Sequence, residues 1–147
     1  MEDLEKLAEK SVFRKAYEFG ERCIDYRMAA LGATAMGAIV FGINYDEGVG
    51  PAVTAASKQA AYTFLFGGAL MRMCERLAVN TKRAVRARII SVAIPALISV
   101  GATYGVHRIK GTPKPFNSTV PTMVLAPPAF VYWSQRKRNE SVRDSNL

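Results

Sequence analysis

The chain has 147 residues, half of them hydrophobic and 22% charged, with a formal net charge of +8. That length suits one domain and leaves too little material for a second core. Two widely spaced cysteines, Cys23 and Cys74, in no CxxC arrangement argue against a disulfide framework or a structural zinc site.

The charges are unevenly placed. They crowd into residues 1–27, 72–88 and 134–147, and the stretches between are almost free of them. Such blockiness is expected of a chain whose middle segments sit in hydrocarbon. The N-terminal MEDLEKLAEK is acid-rich and has no apolar run, so it reads neither as a secretory signal nor as a transit peptide. Between residues 4 and 24, Leu4, Leu7, Ala8, Val12, Phe13, Ala16, Tyr17, Gly20, Cys23 and Ile24 recur at helical steps. Residues 1–27 therefore read as an amphipathic helix on the cytoplasmic side, docked on protein, with the stretch Arg72 to Val79 as its natural partner.

Four apolar segments come next, at about 28–45, 52–72, 89–107 and 120–134. Each is read as a membrane span, making residues 28–134 one transmembrane domain and residues 135–147 a basic cytoplasmic tail. The fourth is the shortest, and Pro127-Pro128 are expected to break it, while Pro95 is expected to bend the third. Lysine and arginine bias supports an even number of crossings: sixteen fall on one side and three on the other, with Lys58 inside a span. The expected fold class is thus an all-α integral membrane four-helix bundle with both ends cytoplasmic. A bacterial cytoplasmic membrane fits best. A soluble basic bundle is the competing reading, but 28–43 and 89–106 are apolar all round and lack the polar face it requires.

Three groups of residues draw notice. Lys58, the only ionisable residue inside an expected span, has Gln59 and Tyr62 beside it, with Asn44, Thr103, Tyr104 and His107 expected in the same outer layer. They form either a small polar pocket for an anion or headgroup, or a snorkelling lysine that reaches Asp46 or Glu47. Second, no acid occurs between Arg76 and Asn139, so Lys82, Arg83, Arg86, Arg88, Arg136, Lys137 and Arg138 lack a local counter-charge. They are candidates for anionic lipid headgroups or an acidic partner, or act only as topology determinants. Third, small residues recur at four-residue steps: Ala29, Ala33 and Gly37 on one line of the first span, Ala30, Thr34, Ala38 and Gly42 on a second, Ser57-Ala61 and Ala56-Ala60 in the second span, and the Gly101/Gly105 pair in the third. In lipid, such lines allow close backbone approach between helices.

Catalysis finds little support. His107 stands alone, no outer cysteine pair exists and no span carries a carboxylate, so neither haem, thiol oxidation nor intramembrane hydrolysis has its groups. No metal site, cofactor or nucleic-acid partner is expected. Asn117-Ser118-Thr119 matches a glycosylation sequon, but Ser118 and Thr119 read better as helix caps before Pro121. The leading expectation is a non-catalytic membrane subunit or scaffold that oligomerises or joins a larger complex. The alternative is a small channel or transporter with an outer polar pocket around Lys58.

Overall fold

The computed structural model describes residues 14, 15, 17–111 and 115–145. Residues 1–13 and Ala16 of the expected N-terminal helix lie outside the described residues, as does Lys114. The described chain is all-helical, in five α-helices: α1 (Tyr26–Ile43), α2 (Val49–Tyr62), α3 (Gly68–Asn80), α4 (Ala84–Ile109) and α5 (Pro115–Asp144). Residues 17–23 are also helical and precede α1. The chain divides into two compact units, Met1–Arg72 and Met73–Leu147.

In the first unit, α1 begins where Asp25 accepts a hydrogen bond from the Met28 backbone N–H at 3.1 Å, so a carboxylate meets the positive end of the helix. The Asp25 backbone N–H donates to the Gly68 carbonyl at 3.1 Å, which anchors the same residue to the start of α3. Asp25→Ala is expected to lower stability by about 1 kcal/mol, with Asp25→Asn retaining most of it, as read by thermal unfolding in mild detergent. At its other end α1 stops on Asn44, whose side-chain amide donates to the Val40 carbonyl at 2.7 Å. A short 3-10 turn, Tyr45–Glu47, and Gly48 at φ 100° then reverse the chain; a side chain at Gly48 would be strained in that left-handed conformation.

The helix α1 packs antiparallel to α2 and the start of α3 through residues with almost no side chain. Ala29, Ala33 and Gly37 lie on one line and are buried. A Cβ at Gly37 would meet Ala60 Cβ at 3.4 Å, and one at Gly32 would meet Thr63 Cγ2 at the same distance. Between α2 and α3 the helix continues without interruption but widens into a π turn over Thr63–Gly67. Tyr26 stacks on Phe64 in this turn with ring centroids 6.1 Å apart.

In the second unit, α4 and α5 form an antiparallel pair. Ala87, Ser91 and Pro95 occupy every fourth position on α4 and are buried. From α5, Thr119, Phe130, Trp133 and Ser134 are buried. The Ser91 and Ser134 hydroxyls meet at 2.6 Å, one donating to the other, which satisfies two polar groups that burial would otherwise penalise. Within the same unit, the buried Cys74 thiol of α3 donates to the Phe130 carbonyl at 3.5 Å.

Several expectations need correction. Pro127 and Pro128 do not break the chain: α5 runs for 30 residues and contains Pro121, Pro127 and Pro128. An interior proline costs roughly 3 kcal/mol in an isolated helix. Here Thr119 on one side of the prolines and Phe130 and Trp133 on the other are buried, so packing holds both arms. The same helix begins at Pro115, so Ser118 and Thr119 stand inside it and do not cap it. It also continues to Asp144, so residues 135–144 of the basic tail are helical.

Among the described residues two helices, α1 and α4, are long and apolar enough to cross a membrane. The expected segment 52–72 is divided among α2, the π turn and α3, while 120–134 is the middle of α5. In the most apolar 18-residue window, only 11% of α1 and 17% of α4 is buried, whereas a core helix of a soluble protein is mostly covered. Leu31, Ile43, Val85, Ile89 and Leu97 are each at least 60% exposed.

Candidate functional site

The small-residue lines fall into two kinds. Ala33 and Gly37 are buried inside the first unit, Gly37 against Ala56 and Ala60. Among the described residues, nothing lies within 4 Å of where a side chain would begin at Gly42, Gly101 or Gly105. These three positions leave bare backbone surface, and Ala30, Thr34 and Ala38, all exposed, extend the Gly42 line along α1.

Lys58, Gln59 and Tyr62 lie in the first unit on α2, and Tyr104 and His107 lie in the second on α4. Lys58 is exposed and forms no ion pair with Asp46 or Glu47. The expected salt bridge is therefore absent among the described residues, and Asp46 and Glu47 are themselves exposed in the 3-10 turn. Gln59 donates to the Thr63 hydroxyl at 3.2 Å, within its own helix. Tyr62 stacks on Phe66 at 5.3 Å, and its buried hydroxyl has no hydrogen-bond partner among the described residues. Tyr104 accepts from Arg108 at 3.4 Å. Asn44, expected in the same outer layer, uses its amide to close α1.

The basic residues of the second unit separate just as clearly. Arg138 reaches back from α5 to the end of α3, where its Nη1 donates to the carbonyls of Ala78 at 2.7 Å and Thr81 at 3.0 Å. The last carbonyls of a helix lack partners within it, and a cation there also meets the negative end of the helix dipole. Lys137 lies 3.1 Å from Glu140 and 3.8 Å from Glu75, and its ammonium sits 4.9 Å from the Trp133 ring centroid. Arg136 pairs with Glu140 at 2.9 Å, and its guanidinium also lies over Trp133, 5.5 Å from the ring centroid. The hydrogen bond from Arg136, reinforced by Lys137, holds the Glu140 carboxyl below its usual range. Arg136, Lys137 and Arg138 therefore do have local partners, contrary to expectation, because Glu75 and Glu140 flank the acid-free stretch and fold onto it.

Lys82, Arg83, Arg86 and Arg88 are different. All four are exposed, at the turn before α4 and in its first turns. None has an ion-pair partner among the described residues, and the first turn of α4 carries no acid. A shallow groove here is lined by Arg83, Ala84, Val85, Arg86, Ile89 and Ile90.

Of the two thiols, Cys23 is exposed and Cys74 is buried. Burial pushes the Cys74 thiol up to about 12, and Glu75 beside it adds to the shift. The unfolded thiol ionises near pH ~8.5. Between that value and the folded one the unfolded chain loses a proton that the folded chain keeps, so stability is full below pH ~8.5 and falls as pH rises toward 12. Maleimide at neutral pH is expected to label Cys23 within minutes and Cys74 only after denaturation; equal labelling of both in the folded protein would contradict this burial.

Comparison with known protein families, with characterised proteins and with solved structures yields no match to this chain.

Proposed function

We propose that the chain is an integral membrane protein that crosses the bilayer four times, with both termini cytoplasmic, and serves as a non-catalytic subunit or scaffold. On this reading it joins a larger membrane complex or its own copies, most naturally in a bacterial cytoplasmic membrane. The observation that carries the proposal is the poor burial of α1 and α4, 11% and 17% of their apolar windows. Apolar surface of that extent is stable against lipid or another protein, not against water. At ~1.5 Å per residue, α4 reaches about 39 Å, enough for a hydrocarbon core of about 30 Å with its ends in the headgroups, while α1 reaches about 27 Å, a mismatch that local thinning of the bilayer accommodates.

The remaining two crossings rest on charge. The 44–51 turn has no lysine or arginine, while 72–88 has six, so opposite sides are assigned to them. The open glycines Gly42, Gly101 and Gly105 support a role in association, because each allows another helix to approach closely. The alternative, a channel or transporter built around Lys58, draws on a cation that is exposed and unpaired.

Membranes from cells expressing the chain, washed with alkaline carbonate, are expected to retain it, and mild detergent is expected to release it with associated protein or as an oligomer. Recovery in the carbonate supernatant would refute the membrane assignment, and a lone monomer would refute the scaffold. Solute flux in reconstituted vesicles that Lys58→Ala abolishes would favour the alternative.

A further inference from the structure

The groove at the start of α4 combines two properties that rarely coincide on a surface facing water. Lys82, Arg83, Arg86 and Arg88 place four cations within seven residues. None is neutralised by the described chain, whereas Arg136, Lys137 and Arg138 are all committed elsewhere. Their mutual repulsion raises the energy of this end of the helix, and the positive pole of the helix dipole adds to it. Interleaved with them are Val85, 71% exposed, and Ile89, 60% exposed, and with Ile90 they line the same groove as Arg83 and Arg86.

An occupant must therefore supply negative charge at one end and hydrocarbon at the other. A free phosphate would neutralise the arginines and leave Val85 and Ile89 uncovered. An apolar partner would do the reverse. We infer that this groove binds an anionic phospholipid, its phosphate held between Arg83 and Arg86 and an acyl chain laid along Val85, Ile89 and Ile90. The inference rests on the membrane reading above and narrows the basic rim to one place. Arginine suits this task because its planar fork can donate two bonds to one phosphate. Lys82 and Arg88 contribute general attraction.

The test uses the full chain in non-ionic micelles doped with phosphatidylglycerol or phosphatidylcholine, with bound lipid read by native mass spectrometry. Phosphatidylglycerol is expected to bind at lower concentration than phosphatidylcholine. In R83Q/R86Q its half-saturating concentration is expected to rise roughly tenfold while phosphatidylcholine is unaffected. Both arginines are exposed, so the variant is expected to keep its helical circular dichroism. Ile89→Ser provides a second variant that weakens phosphatidylglycerol binding without altering charge. Equal binding of the two lipids, or an unchanged double variant, would overturn the inference. So would competition by inorganic phosphate, or by a glutamate-rich peptide, at matched charge. A chain retained by carbonate-washed membranes but indifferent to headgroup loses only this inference, whereas a chain found in the wash loses the membrane reading as well.

Discussion

Gly68→Val is expected to destabilise the first unit by about 3 kcal/mol, the upper range for overpacking a close-packed site. A Cβ at Gly68 would stand 2.5 Å from Ile24 Cγ2 and 2.7 Å from Ala29 Cβ. Ala29 is on α1, 1% exposed, and its Cβ moves only with its backbone. Displacing α1 would also stretch the bond from the Asp25 N–H to the Gly68 carbonyl and disturb the residue that caps α1. Gly101→Ala is the matched control. Nothing among the described residues lies within 4 Å of its Cβ position, so replacing a helical glycine is expected to raise stability by up to about 1 kcal/mol. Thermal unfolding of both variants in the same detergent distinguishes these outcomes; similar shifts would mean that Gly68 is not a close approach.

The second large effect is expected at Arg138. Arg138→Ala removes two charge-assisted hydrogen bonds, to the Ala78 and Thr81 carbonyls, with a cost of about 3 kcal/mol. Arg138 is only half-buried, and water would take over part of the freed hydrogen bonding, so the loss is less than the sum for buried bonds. The turn at Thr81–Arg83 should then open more often. Trypsin cleavage after Lys82 or Arg83 in the detergent-solubilised protein is expected to accelerate by up to about a hundredfold, in proportion to the open population. Arg138→Lys restores charge but not the fork that spans two carbonyls, and is expected to recover only part of the protection. Cleavage at the original rate in Arg138→Ala would show that the turn is held by other contacts.

The helices were the legible part of the sequence. Uncharged runs around 28–43 and 89–106 mark α1 and α4, because apolar residues on every side need no further decoding. The line Ala29, Ala33, Gly37 was also readable, since a four-residue step is a local pattern; all three are buried, with Gly37 against α2 and Ala29 against Gly68. Two competing lines on the second segment, Ser57-Ala61 and Ala56-Ala60, could not be ranked from spacing. The packing chooses Ala56 and Ala60, opposite Gly37.

The features that stayed hidden depend on contacts between distant residues. Arg138 lies 60 residues beyond Ala78, and nothing in its neighbourhood distinguishes it from Arg136. Counting charge by stretches made the RKR triplet look uncompensated, when Glu75 and Glu140 bracket it in space. The prolines misled for a related reason: Pro127-Pro128 is a strong local breaker, and the burial of Phe130 and Trp133 overrides it. A signal for the groove at α4 was present, in the alternation of Arg83, Val85, Arg86 and Ile89, but it resembled an ordinary basic flank.

The widened turn at Thr63–Gly67 has a consequence for insertions and deletions. A π turn holds one residue more than an α turn, so it behaves as an insertion absorbed without rotating the helix beyond it. Removing one residue there would let the turn tighten and leave the downstream helix in phase, whereas the same loss at Ala56 would swing every later side chain by about 100°.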